Sequence, residues 1–104
     1  MIHEYAYLYI TPGREEEFEQ ALLAGAPILE SAEGCLSVEL HRDVETQGSY
    51  LLRVGWETLA HHLDGFPRSE QAPRFAAAIE HFFAKEPELR HFSAEPVGAP
   101  TAQD

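Results

Sequence analysis

Ile2-His3-Glu4-Tyr5-Ala6-Tyr7-Leu8-Tyr9-Ile10, running into Thr11-Pro12-Gly13, is the stretch that decides how the rest of the chain folds. Its residues alternate, with His3, Tyr5, Tyr7 and Tyr9 on one face and Ala6, Leu8 and Ile10 on the other. A period of two over this length specifies a strand. Both of its faces carry apolar or aromatic groups, and helices from a small domain cover only one. The open face is therefore expected to meet a partner surface, which predicts a homodimer with the two sheets face to face. Thr11-Pro12-Gly13 turns the chain. Thr11 is placed to cap the next helix with Pro12 at its first position, and Glu15, Glu16 and Glu17 sit where the helix dipole favours acids.

Outward from that strand, Phe18, Ala21, Leu22, Gly25 and Leu29 recur at helical spacing. Pro27 is expected to kink this helix or split off its final turn, and Glu33-Gly34 to end it. A second strand spans 35–42, with Leu36, Val38 and Leu40 inward; 43–48 reads as a hairpin loop and 49–57 as the third strand. A short helix over 58–66 and a longer one over 70–85 follow, the latter carrying Phe75, Ile79, Phe82 and Phe83. Pro87 ends it, and 89–95 forms a short last strand. The order β-α-β-β-α-β is that of an α+β, ferredoxin-like domain with a four-stranded antiparallel sheet and both helices on one face. Residues 1–95 make that domain, and 96–104 are expected to be a flexible tail.

The chain has 104 residues, enough for one domain, and 18 acidic against 7 basic side chains give a net charge of −11. Nucleic acid and anionic membrane surfaces are excluded as partners, since both are held through Lys and Arg. No apolar run approaches the ~20 residues of a membrane span, and the start lacks the features of a secretion signal. The single cysteine, Cys35, makes no internal disulfide, and a cytoplasmic location is expected. No basic residue lies within two positions of Cys35 to activate it as a nucleophile. Phosphate loops, nucleotide fingerprints and Ser-His-Asp patterns are missing from the sequence.

Chemistry concentrates between Trp56 and Ser69, in Trp-Glu-Thr-Leu-Ala-His-His-Leu-Asp-Gly-Phe-Pro-Arg-Ser. An aromatic at a strand end, followed within two turns by an imidazole, suits a pocket wall with a proton handler. His61 and His62 point ~100° apart on a helix, so they do not chelate one ion together. With no ligand-spacing motif elsewhere, no metal site is expected.

Taken in order over residues 2–93, several features carry a resemblance. They are the first strand leading into Thr-Pro-Gly and an acidic helix, Pro27-Ile28-Leu29, Gly34-Cys35-Leu36, Tyr50-Leu51-Leu52, Trp56-Glu57-Thr58-Leu59, His62, Gly65-Phe66 and His91. With them the chain resembles the antibiotic-biosynthesis-monooxygenase family, a branch of the dimeric α+β barrel proteins. The resemblance implies a pocket between sheet and helices that holds a planar anthrone-, polyphenol- or hydroquinone-like substrate. It implies oxygenation without metal, haem or flavin. Carried over by position, Trp56 and His62 are the catalytic pair, Trp56 as pocket wall and His62 as acid/base. Tyr7 and His91 line or polarise the site, and Phe66 closes it. Oxygenases of this kind often rely on a pocket asparagine, and this chain contains none. Tyr7, Glu39 or Arg53 would take that part, or the chemistry differs. A non-catalytic dimer that binds a small hydrophobic or aromatic ligand, or acts as a stress-related accessory protein, is the alternative. In the haem-degrading branch, a histidine placed like His62 would hold iron.

Overall fold

The computed structural model describes residues 1–98, so most of the expected 96–104 tail lies outside the described residues. Four strands, β1 (Ile2–Tyr9), β2 (Cys35–Arg42), β3 (Ser49–Trp56) and β4 (Glu88–Ser93), form one antiparallel sheet in the order β2-β3-β1-β4. Helices α1 (Glu15–Glu30) and α2 (Gln71–Ile79) supply the second layer. They meet closely at Gly25, where an added Cβ would stand 3.3 Å from Ala78 Cβ. This is the ferredoxin-like α+β fold expected from the order of elements.

Alternation along β1 and β3 produces the core. Ala6, Leu8 and Ile10 join Leu52, Val54 and Trp56 under Phe18, Leu22 and Leu29 of α1 and Phe75 and Ile79 of α2. Phe18, Val54 and Trp56 have no exposed surface, and burying each such side chain contributes about 1.5–3 kcal/mol. The acidic first turn of α1 forms as expected. Glu19, further along, takes both Arg42 Nε (2.8 Å) and Nη2 (2.7 Å) and the Tyr50 hydroxyl (2.6 Å). Those donors pull its carboxyl down to about 2 and fasten α1 over β2 and β3.

Several local expectations are corrected. Thr11 does not cap α1, whose N-cap is Arg14. Instead the Thr11 amide (2.8 Å) and hydroxyl (3.0 Å) both donate to the Phe82 carbonyl. Helix α1 continues through Pro27 to Glu30. The carbonyl that loses its donor belongs to Leu23, which is 69% exposed and can turn to water. Leu36 is not inward: Cys35 pairs with Trp56 and Ser37 with Gly55, leaving Leu36 as the extra, exposed residue of a bulge. In place of one helix over 58–66, His61–Gly65 is a π-helical turn and Phe66–Arg68 a 3-10 turn. The longer helix stops at Ile79 and passes through a 3-10 turn, Glu80–Phe82. There the chain turns extended, because Phe83 bridges Ile10 and the Ala84 amide donates to the Tyr9 carbonyl (2.7 Å). Strand pairing outcompetes continuation of the helix at that point.

Candidate functional site

The alternation that buries Ala6 and Leu8 also turns Glu4 inward, where it is 7% exposed. A buried carboxylate is costly unless it is hydrogen-bonded. Trp56, at the end of β3, donates its indole Nε1–H to Glu4 Oε1 at 3.0 Å. His62 Nε2 lies 3.3 Å from that same oxygen. Its other nitrogen, Nδ1, is 2.7 Å from His91 Nε2. His91 arrives through the sheet register, directly opposite Glu4 on β4. The indole of Trp56 stacks on the His62 ring with centroids 5.1 Å apart and planes 16° off parallel. Phe66 tilts against both, 5.6 Å from Trp56 and 6.1 Å from His62.

The π-helical turn sorts the two histidines. Closing on the Phe66 amide, which donates to the His61 carbonyl, it widens the chain by one residue. His62 then points inward, with 13% of its side chain exposed. His61 lies over Gly34, and its Nδ1 is 2.8 Å from the Thr58 hydroxyl. Gly34 is required there: its φ is +83°, and an added Cβ would stand 2.3 Å from His61 Cγ.

Burial raises the Glu4 carboxyl above its ordinary range, opposed by the Trp56 hydrogen bond and by the nearness of His91. Burial lowers His62. His91 is lowered by burial and by its neighbour His62, against the pull of Glu4. Each group is thus biased towards its neutral form, which brings the acid and the imidazoles closer in proton affinity than they are in water.

Beside Glu4, between the sheet and α2, is a cavity of about 180 Å³. Phe66, Phe75 and Phe83 line it together with Ala72, Ala76 and Glu4, and Glu80 stands on its exposed side. A larger cleft of about 420 Å³ lies over charged surface between Glu15, Glu19, Arg42 and Asp43. Its charged walls suit an aromatic ring poorly.

The sequence-predicted residues are therefore divided. Trp56, His62, Phe66 and His91 come together, yet Phe66 alone of these lines the cavity, and Glu4 separates it from the indole and imidazoles. Tyr7 is on the opposite face of the sheet, where its hydroxyl donates to Asp43 and its ring meets Tyr9. Glu39 and Arg53 share that open face, paired at 2.9 Å. None of the three candidates for the missing asparagine stands at the cavity. Glu4 is the residue that reading the sequence passes over. Its signal is an acid in phase with Ala6, Leu8 and Ile10.

Both ring nitrogens of His62 are engaged by protein groups, so neither is free to hold haem iron. Among the described residues no three His, Cys, Asp or Glu side chains converge as a metal site, and no helix is long and apolar enough to cross a membrane.

Comparison with known proteins agrees with this architecture. The model of the family described as "Antibiotic biosynthesis monooxygenase" matches residues 1–81. The uncharacterized protein YczJ of Bacillus subtilis (strain 168) is 37% identical over 92 residues, covering 88% of this chain and 97% of YczJ. A crystal structure from Bordetella bronchiseptica, described as a candidate antibiotic biosynthesis monooxygenase, superposes with a TM-score of 0.87 at 33% identity, covering 91% of this chain and 97% of that one. One from Caulobacter crescentus, described in the same terms, shares the fold with a TM-score of 0.76 at 23% identity, covering 91% of this chain and 90% of that one. On the family match and the two relatives above 30% identity, the chain belongs to the antibiotic biosynthesis monooxygenase family.

Proposed function

We propose that this protein is a cofactor-independent monooxygenase acting on a small aromatic, hydroquinone-like substrate. The observation that carries this reading is an aromatic-walled cavity bordered by a buried carboxylate that is backed by two histidines. A quinol whose hydroxyl is deprotonated is electron-rich enough to reduce dioxygen itself. One oxygen atom enters the ring and the other leaves as water, and the substrate supplies all the electrons, so no nicotinamide or flavin is needed. The protein's part is to orient the ring, exclude water and handle the proton.

Cavity size narrows the substrate. A pocket of 150 Å³ lined by apolar side chains binds benzene, and the cavity here measures about 180 Å³. A single ring matches that volume, and the side towards exposed Glu80 is open to solvent.

The open sheet face supports a homodimer. Tyr5 packs on Phe92 there at 5.4 Å, and Phe92 is 56% exposed. A second sheet laid on this face covers the rings. Light scattering that gives a stable monomer at micromolar concentration refutes the dimer.

Oxygen uptake with single-ring hydroquinones, without added NADH or flavin, tests the activity. His62→Ala should lower that rate ~100-fold, and no uptake across a panel of such substrates refutes it. The absence of asparagine favours one second reading, a non-catalytic binder of the same class of ligand. It predicts thermal stabilisation by ligand with no turnover.

A further inference from the structure

We propose that Glu4, rather than His62, takes the proton from the phenolic hydroxyl of the bound substrate, and that His62 and His91 carry it onward to the β4 edge of the sheet. The inference rests on the site reading given above and assigns the acceptor within it. Glu4 lines the cavity, and neither His62 nor His91 does. Both contacts to Glu4, from Trp56 and from His62, use Oε1. Among the described residues Oε2 has no hydrogen-bond partner, so it is the oxygen left for a ligand. A ring lying among Phe66, Phe75 and Phe83 meets no other buried charged or titratable group.

The step balances without another reactant. The substrate O–H bond breaks, its proton bonds to the Glu4 carboxylate, and the electron pair stays on the phenolate oxygen. Onward transfer uses the observed contacts in series. Rotation of the protonated carboxyl turns its hydroxyl from the ligand side to His62 Nε2, which takes that proton while the His62 Nδ1 proton passes across 2.7 Å to His91 Nε2. One proton shifting along each link returns Glu4 to its anion and leaves the excess proton on His91. That residue is half-buried on a strand at the sheet edge, from which solvent can take it. Stacking of Trp56 on His62 and the indole bond to Oε1 hold the carboxylate and imidazole in register.

The test uses 4-nitrophenol under anaerobic conditions, so it does not depend on oxygen chemistry. At a pH where the free probe is neutral, binding to the wild-type protein should move its absorption towards that of the ionised form. Glu4→Gln keeps an amide oxygen for the Trp56 indole and so keeps the fold. It should bind the probe within about threefold of wild type and leave its absorption at the neutral maximum. An equal shift in Glu4→Gln, or binding to wild type with no shift, overturns the assignment; failure to bind at all overturns both it and the site reading. A shift without quinol-dependent oxygen uptake leaves the acceptor in place and removes the oxygenase reading alone. For the onward path, His91→Gln should lower kcat with a single-ring quinol about tenfold at unchanged KM. Added imidazole should restore it, and a loss that imidazole does not restore makes His91 a structural residue only.

Discussion

Replacing Trp56 with phenylalanine tests the centre of the site through stability alone. The substitution removes the Nε1–H that reaches Glu4 Oε1 at 3.0 Å and shortens a side chain with no exposed surface. A hydrogen bond to a charged group is worth ~1.5–3 kcal/mol, and the lost packing adds about 1 kcal/mol. Trp56→Phe should therefore cost about 2.5–4 kcal/mol at a pH high enough for Glu4 to be ionised in the folded state. In a Glu4→Gln background the same bond joins neutral groups and is worth ~0.5–1.5 kcal/mol, so the cost should fall by about 1–1.5 kcal/mol. The pH dependence has a definite sign. The indole bond favours the ionised carboxylate and opposes the upward shift caused by burial. Without it Glu4 holds its proton to still higher pH in the folded state, while the unfolded chain releases it near 4.5. The penalty of Trp56→Phe should grow only once pH passes the raised folded value of Glu4 in the wild type, where the variant alone still holds the proton. Urea unfolding of the four proteins of this double-mutant cycle, repeated across pH, supplies the measurement. A cost below ~1 kcal/mol, or the same cost in both backgrounds, refutes the coupling.

Three further outcomes follow from the geometry. Because burial lowers His62 and His91 from 6.5, the folded state takes up fewer protons than the unfolded chain below that pH. Stability should decline as pH falls from 6.5 through the folded values, and His62→Gln should flatten that slope; imidazole titrations followed by NMR measure it directly. Gly34→Ala forces a side chain into a backbone with φ of +83° and against the His61 ring, so it should cost about 2 kcal/mol or more by denaturant unfolding. A cost under about 0.5 kcal/mol contradicts the close packing. Phe66→Ala should abolish thermal stabilisation by a single-ring phenol while Tyr7→Phe leaves it unchanged, since only Phe66 borders the cavity; equal losses refute that division.

The fold was legible because its signals are local and mutually consistent. Tyr5, Tyr7 and Tyr9 against Ala6, Leu8 and Ile10 set the first strand, and the hairpin at Gly48, with φ of +86°, joins β2 to β3. What misled were positions decided by contacts distant in sequence. Thr11 reads as a cap until the Phe82 carbonyl claims its hydroxyl, and Phe83 reads as helical until Ile10 pairs with it. Leu36 reads as inward because alternation has no way to register a bulge. At the site, the stretch from Trp56 to Ser69 stood out because an aromatic and two imidazoles are close in sequence, whereas the choice of His62 over His61, and the roles of Phe66, His91 and Tyr7, came with the family resemblance. Glu4 lies 52 residues from Trp56 and declares its role only once β1 pairs with β3. The placing of Tyr7 shows the limit from the other direction. An aromatic row on one strand says nothing about which side of the finished sheet faces the helices.

The early exit of the chain from helix at Phe82 separates two properties that one element might have held together. Glu4, Trp56, His62 and His91 are positioned by paired strands and the π-helical turn, whereas Phe83 and Pro87 on the far wall belong to the irregular connection into β4. Lengthening or reshaping that connection changes the room available to a ligand without disturbing a single strand register. A scaffold arranged this way can be refitted for larger or smaller guests while Glu4, Trp56, His62 and His91 stay where they are.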